Sequence, residues 1–317
     1  MKNFNIWQLT TYKTDAIASN FLDIQTYDDI RNLQNIKHNF IIMGWGSNLL
    51  MKENKYKNLV FIKYSIQKDW KLIKEDSDNL YFEVYTWENL SQTILNASKY
   101  TNQMNPLFGL PWTLWWAIIW NAGSFWKEIG NFVESIKLFS IKTNEIITIN
   151  NSTIKFSYRN TNLKNKEYII INAILKIPKK SDKEILPHIE YSKKRIKHQP
   201  IWKWCGSWFQ NYKIQDGENL NKLFSNINIK SKNDKILLEK IEKWILTQIP
   251  AGWLIEQAWL KWYEKNGVII SPKHANFILN IGTTKWQNIY NIGDLAKNKV
   301  VDKFGVILEE EVKIIKN

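Results

Sequence analysis

The chain has 317 residues, enough for two or three domains with ample core. Its 44 basic and 30 acidic residues give a net charge of +14, but arginine occurs only at Arg31, Arg159 and Arg195 while lysine, asparagine and isoleucine abound; that is the mark of A+T-rich coding, and no nucleic-acid partner is expected. The one cysteine, Cys205, excludes an internal disulfide and a cysteine-cluster metal site, and no metal is expected.

The N-terminus, MKNFNIWQLTTYK, is polar where a signal peptide needs an apolar core, and the longest apolar run, around 114–120, is too short to span a bilayer. A cytoplasmic protein without a membrane partner is the expectation. In chain order, alternation predicts strands at Phe40–Met43, Leu59–Lys63 and Leu80–Tyr85 and a helix over Glu88–Lys99. A turn-rich loop at 109–123 is followed by strands at Val133–Phe139, Glu145–Ile149 and Tyr168–Ile177. The charged stretch PKKSDKE at 178–184 marks a domain boundary. Beyond it the pattern predicts an amphipathic segment near 186–198, a loop at 199–211 and a helix over Lys235–Thr247. A second helix starts at Ala251, then come a strand at Asn276–Ile281, a helix over Thr284–Lys303 and a final strand Val306–Ile315. The texture is α+β throughout.

Seventeen tryptophans stand against twelve glycines. In GLPWTLWWAIIWNAG (109–123), glycine in place of Trp112, Trp115, Trp116 and Trp120 would restore a loop whose backbone amides can close around a phosphate. The same exchange suits Trp45, Trp87, Trp126, Trp259 and Trp262. Adding these nine to the 12 glycines present gives 21, against roughly 22 expected at ~7% usage. One codon, UGA, read as tryptophan in place of glycine would account for all nine; seventeen genuine tryptophans are the alternative.

Five further segments carry polar side chains in places that suit chemistry. GWGSNLL (44–50) ends an apolar run in small residues, either an ordinary tight turn or a pyrophosphate cradle. Tyr158-Arg159 lies in a polar turn, where the arginine serves a salt bridge or a site that needs its planar fork. In CGSWFQN (205–211), Ser207 is either a turn serine or a hydroxyl facing a pocket; with His198 the only nearby base, hydrolase chemistry fits poorly. Alternation along LEEEV (308–312) sends Glu309 and Glu311 to one strand face and Glu310 to the other. His274 and Asn276 precede a strand, and a structural histidine is the plain reading of His274.

Together these segments resemble the UDP-N-acetylenolpyruvoylglucosamine reductase family, flavoenzymes of peptidoglycan precursor synthesis. The matching segments run in order over nearly the whole chain: TTYK (10–13), GWGSNLL, GLPWTLWWAIIWNAGSFWKEIG (109–130), YRNTNLK (158–164), CGSWFQN, AGWLIEQAWLKW (251–262), SPKHANFILN (271–280) and GVILEEEV (305–312). Length and the HANF form resemble the shorter of the family's two types. The family pattern has glycine at the positions of Trp45, Trp112, Trp115, Trp116, Trp120, Trp126, Trp259 and Trp262, but not at Trp208 or Trp253; Trp202 and Trp204 stay open. Asp15-Ala16 departs from the family's double glycine.

The resemblance implies an FAD-binding domain of the vanillyl-alcohol-oxidase type over 1–178, in two subdomains divided near 65–75, and a C-terminal α+β substrate domain over 179–317. FAD would lie between the subdomains, against Gly44, Trp45, Gly46, Ser47, Asn48, Pro111, Trp112, Thr113, Trp115, Trp116, Asn121 and Gly123. NADPH would be the co-substrate and UDP-N-acetylglucosamine enolpyruvate the substrate. Arg159 matches the cation that meets developing enolate charge, Ser207 the proton donor and Glu311 the glutamate near the substrate carboxylate. Tyr158, Asn211 and His274 match positions near the substrate, and a monomer is expected. Two rival readings are another flavin oxidoreductase of the same cofactor fold, and a flavin-free, inactive protein if the indoles are genuine.

Overall fold

The computed structural model describes residues 3–31, 33, 39–44, 46–65, 70–164, 168–200, 203–215, 223–225, 227, 229, 231–243 and 245–317. Two compact units emerge: residues 1–4, 18–45 and 56–197 form one, and residues 5–17, 46–55 and 198–317 the other. The charged stretch 178–184 thus lies inside the first unit.

Among its described residues, the first unit holds two larger sheets and two short hairpins. In the smaller of the two sheets, β1 (Ile17–Ile24) and β2 (Asn39–Met43) flank β4 (Lys55–Tyr64), with β2 and β4 parallel in the register Asn39↔Leu59 to Met43↔Lys63. β3 (Leu49–Met51) belongs to the second unit. A short helix, α1 (Tyr27–Arg31), follows β1. The larger sheet is antiparallel, in the order β10 (Glu145–Asn150), β9 (Val133–Ser140), β13 (Tyr168–Pro178), β6 (Asn79–Tyr85), β5 (Trp70–Glu75). β6 alternates strictly, turning Leu80, Phe82 and Val84 inward, as its period of two dictates. β13 is buried through Ile169–Ala173, so both faces of the centre of this sheet are covered. Lysines at 71 and 74 blunt the β5 edge.

A sharp turn joins β5 to β6. The Asp76 carboxylate accepts from the Tyr81 hydroxyl (2.8 Å) and from the amides of Asp78 (3.0 Å) and Asn79 (2.7 Å), and these bonds, the tyrosine's first, pull its pKa from 3.8 to about 2. A lowered carboxylate pKa contributes stability that is whole above the unfolded value and fades as pH falls. Thermal stability is therefore expected to drop between about pH 4 and pH 2, and Asp76→Asn to flatten that window in melting curves taken across it. An unchanged slope in the variant would assign the acid sensitivity to other carboxylates.

α2 (Leu90–Ala97) is N-capped by Asn89, whose side chain accepts from the Ser91 amide at 2.7 Å. α3 (Leu114–Ile119) is capped by Thr113 and buried along its whole length. The hairpins β7 (Gly123–Ser124)/β8 (Lys127–Glu128) and β11 (Phe156–Ser157)/β12 (Asn160–Thr161) follow it, and α4 (His188–His198) comes late in the unit.

In the second unit β3 pairs in parallel with β19 (Lys313–Ile315), and β14 (Tyr212–Lys213) with β15 (Gln248–Ile249). A small sheet of β16 (Glu264–Lys265), β17 (Val268–Ile270) and β18 (Ile278–Asn280) packs against α7 (Trp286–Phe304). α5 (Lys232–Glu242) opens with a reciprocal cap between Ser231 and Asp234, and α6 (Ala251–Gln257) starts after Pro250. The core gathers Trp208, Leu254, Ile255, Ile289, Val300 and Leu308.

The final strand departs from expectation. Val306 and Leu308 are buried and Ile307 is exposed, so the alternation of burial is real, but 305–309 form no ladder; a single bridge joins Glu310 to Phe209 before β19 begins. Glu309 and Glu311 therefore do not share the face of a regular strand. Glu310 instead bonds the Lys297 ammonium at 3.1 Å.

Candidate functional site

In the first unit, the loop before α3 is held by its own backbone. The amide of Leu90 donates to Trp112 O (2.9 Å), Leu114 to Glu88 O (2.9 Å) and Trp115 to Thr86 O (2.6 Å). Trp112 donates to Leu110 O (2.9 Å), Ala117 to Thr113 O (3.0 Å) and Trp116 to Thr113 Oγ1 (3.4 Å). The amides of 112 and 114–117 are thus committed inside the protein.

A series of ring contacts runs from Tyr64 to Trp120. Tyr64 stacks on Trp87 at 3.6 Å, Trp87 lies 5.7 Å from Trp115, Trp115 meets Trp116 edge-on at 4.8 Å, and Trp116 stacks towards Trp120 at 6.3 Å. The Lys164 ammonium caps the far end, 3.7 Å from the Trp120 ring. Trp116 lodges against Gly44, where a Cβ would sit only 2.1 Å from its Cδ1. The Tyr64 hydroxyl and the indole N–H groups of Trp87, Trp115 and Trp120 are buried without a hydrogen-bond partner. Pro111 and Trp112 are half-buried, and Trp45 lies outside the described residues.

Arg159 stands at the exit of the same loop. Tyr158 and Arg159 form the two-residue turn between β11 and β12, with Arg159 at φ 51°. Its guanidinium donates to Gly123 O (3.1 Å) and lies 5.0 Å from the Tyr158 ring, while its carbonyl accepts from Lys164 Nζ (2.7 Å). Asn121 ties the region together, donating to Glu128 Oε2 (2.6 Å) and Ser157 O (3.1 Å) and accepting from the Gly130 amide (3.2 Å). The structure thus brings Arg159, Tyr158, Asn121 and Gly123 to one corner. Arg195 holds the adjoining segment with Nε on Phe108 O (2.8 Å) and Nη2 on Pro106 O (3.1 Å) and Ser124 Oγ (2.7 Å); burial lowers its pKa to about 10.

A second cluster lies in the second unit. Gly46 sits at φ 60°, and a Cβ there would come within 1.9 Å of Leu9 O, so only glycine fits this turn. Its carbonyl accepts from the Thr11 amide at 3.2 Å, and Ser47 and Asn48 next to it are buried. Asn48 Nδ2 donates to Glu311 O (3.1 Å), and the Glu311 amide donates to Trp208 O (2.8 Å), beside Ser207. The Asn48 turn, the Ser207 loop and Glu311 therefore form one hydrogen-bonded group, with both the Ser207 and Glu311 side chains half-exposed.

Asn276 fixes the Ser207 loop. Its side chain accepts from the Phe209 amide (2.9 Å) and donates to Phe209 O (2.8 Å), and its carbonyl accepts from the Trp208 amide (2.7 Å). Sequence reasoning did not give Asn276 this role, although a buried asparagine at the start of a strand signals a backbone clamp. Asn211 and His274 have structural partners as well. Asn211 accepts from the Ala251 amide at the start of α6 (3.2 Å), and His274 Nδ1 accepts from the Asn276 amide (3.3 Å) with its ring edge-on to Phe277. Burial, then the Lys261 charge, lowers the His274 pKa, which keeps the imidazole neutral at pH 7. The Cys205 thiol donates to Leu49 O (3.1 Å), and burial pushes its pKa up to about 12, so it stays protonated. Among the described residues no group of side chains could hold a metal ion, and no helix is long and apolar enough to cross a membrane.

Comparison with known proteins gives this arrangement its context. Residues 198–315 match the family model described as the C-terminal domain of UDP-N-acetylenolpyruvoylglucosamine reductase. A protein of that name from Caldanaerobacter subterraneus subsp. tengcongensis is 28% identical over 294 residues, covering 90% of this chain and 82% of the relative. Another, from Fusobacterium nucleatum, is 26% identical over the full length of both. The crystal structure of the Thermus caldophilus UDP-N-acetylenolpyruvylglucosamine reductase superposes with a TM-score of 0.73 at 20% identity, covering 99% of this chain and 98% of that one, which shows a shared fold. The C-terminal part of the chain thus matches the C-terminal domain of the UDP-N-acetylenolpyruvoylglucosamine reductase family, and over nearly its full length the chain is similar to proteins of that name.

Proposed function

We propose that this protein reduces UDP-N-acetylglucosamine enolpyruvate to UDP-N-acetylmuramate, with FAD as cofactor and NADPH as reductant, in the cytoplasm. The observation that supports the reading most is the hydrogen-bonded group of Asn48, the Ser207 loop and Glu311, in a domain that matches the family's C-terminal domain. The residues as they stand do not fit FAD. The loop at 111–117 offers a diphosphate no free row of amides, and the indoles of Trp87, Trp115, Trp116 and Trp120 pack against one another at and beside it, Trp116 against Gly44.

The reaction adds a hydride to the vinyl methylene carbon and a proton to the neighbouring carbon, which bears the ether oxygen and the carboxylate. Negative charge builds on that carbon and carboxylate as an enolate before the proton arrives. In this reading Arg159 meets the charge with a cation that stays ionised throughout. The Ser207 hydroxyl supplies the proton; serine is a weak acid in water, but a carbanion-like centre held against it is basic enough to take its proton. Glu311 lies near the substrate carboxylate. Gly44, Gly46, Ser47, Asn48, Thr113, Asn121 and Gly123 are assigned to the cofactor, and Tyr158, Asn211 and His274 to the surroundings of the substrate, the last two through the backbone they hold.

The test is turnover in a chain carrying glycine at the nine suspect positions. NADPH-dependent formation of UDP-N-acetylmuramate is expected, and Ser207→Ala is expected to slow it about 100- to 10,000-fold, while the calorimetric Kd for the enolpyruvyl substrate stays the same. Full turnover in the alanine variant would remove Ser207 from the proton-donor role. A flavin-loaded parent that makes no product would overturn the assigned activity itself.

A further inference from the structure

We infer that the natural protein carries glycine at Trp45, Trp87, Trp112, Trp115, Trp116, Trp120, Trp126, Trp259 and Trp262. Its gene would spell all nine with UGA, a codon that some genetic codes read as tryptophan and others as glycine. The part of this inference that concerns the cofactor rests on the function proposed above; the backbone evidence does not.

Three of the nine stand at left-handed φ, each in a different setting that selects glycine. Trp126, at φ 70°, follows Phe125, at φ 46°, in the two-residue loop of the β7/β8 hairpin, where Ser124 pairs with Lys127. Positive φ at both loop positions is the type I′ pattern, which takes glycine second. The β16/β17 hairpin provides the comparison within this chain: its two-residue loop is Asn266, at φ 52°, and Gly267, at φ 74°.

Trp259, at φ 63°, is the residue after the C-cap of α6. Its amide donates to Glu256 O (3.0 Å) and the Leu260 amide to Ile255 O (3.3 Å), the paired bonds of a Schellman motif, whose left-handed residue is usually glycine. α7 ends in the same conformation at Gly305, φ 71°. Trp262, at φ 73°, is third in a turn closed by the Tyr263 amide on Leu260 O (2.9 Å), the place where a type II turn needs glycine. All three indoles stand in solvent, 98%, 64% and 67% exposed.

The positions near the loop fail differently. At Trp87, Trp115 and Trp120 the indole N–H is buried and unsatisfied, a state that proteins avoid for this group. Other tryptophans of the chain are built into their surroundings. Trp253 donates to Asp234 Oδ1 at 2.8 Å, Trp204 to Pro200 O at 3.0 Å, and Trp208 fills the core against Gly293, where no Cβ could fit. Strained or orphaned indoles thus fall at six of the nine positions, Trp87, Trp115, Trp120, Trp126, Trp259 and Trp262, and not at Trp204, Trp208 or Trp253. Misreading of one codon explains that sorting, because two codons would underlie one written residue. Trp45, Trp112 and Trp116 join the first class on sequence context.

The gene and the protein from its own cells decide the matter. The nine positions are expected to be TGA, and Trp204, Trp208 and Trp253 TGG. Intact mass of the natural protein is expected below the written 37.7 kDa by nine exchanges of an indolylmethyl group for hydrogen. TGG at the nine positions, or a mass equal to the written one, would overturn the inference. Neither readout depends on flavin or turnover, so a failure of the proposed activity leaves this result standing and the reverse holds too.

Discussion

In the chain carrying the nine glycines, Arg159→Lys is expected to lower turnover of the enolpyruvyl substrate about 100- to 1,000-fold, nearly as far as Arg159→Ala, although it keeps the charge. The reason is geometry. A carboxylate acquiring enolate character presents two oxygens in a plane, and a guanidinium meets both, whereas an ammonium is a point charge. Arg159 is already oriented by its bond to Gly123 O and its place beside the Tyr158 ring, arrangements that suit a flat group. Both substitutions leave the residue at φ 51°, so the comparison cancels backbone strain. The loss should fall on kcat with flavin content unchanged. Near-full activity in the lysine variant would make Arg159 a brace for the 121–123 corner.

Trp126→Gly, Trp259→Gly and Trp262→Gly together are expected to stabilise the protein, against the usual direction of large-to-small changes. Left-handed φ costs a residue with a Cβ roughly 1 to 2 kcal/mol, and glycine returns about 0.5 to 1 kcal/mol of that through its freer unfolded chain. The net gain is about 1.5 to 3 kcal/mol for the three sites. These indoles stand in water, so their removal forfeits little burial; the main loss is the Trp259 contact with Lys303, 5.8 Å from the ring. Trp208→Gly is expected to do the opposite and cost at least about 3 to 5 kcal/mol, because the indole is 2% exposed and central to the second unit's core. Denaturant melts of the two variants should shift in opposite directions. A triple variant less stable than the parent would remove the strain argument.

Several elements could be read directly because burial imposed its period on the sequence. β6, β9 and β13 carry their apolar residues where an antiparallel sheet needs them, and α7 covers most of its expected range. β1, IASNFLDI, was not visible because polar residues interrupt its apolar ones and its burial does not alternate cleanly. The stretch 305–309 misled for the reverse reason: burial alternates there, but a strand also needs a partner ladder, and alternation carries no information about one.

Among the candidate residues singled out from the sequence, Gly46 stands at a turn that only glycine fits, the carbonyl of Trp208, next to Ser207, accepts from the Glu311 amide, and Arg159 bonds Gly123 O. The clamp by Asn276 was not legible in the sequence, because its partners are backbone atoms more than sixty residues away, and nothing local marks them. Arg195 was visible as one of three arginines, but its role depends on the carbonyls of Pro106 and Phe108 that folding brings to it.

The most direct measurement of the account is flavin content, taken from the visible absorbance of two purified proteins, one with the seventeen tryptophans and one with glycine at the nine positions. The glycine chain is expected to be yellow, with one FAD per polypeptide, and the tryptophan chain colourless, because four mutually packed indoles from Trp87 to Trp120 stand at and beside the 111–117 loop. Stoichiometric FAD on the tryptophan chain would contradict the claim that these indoles close the site.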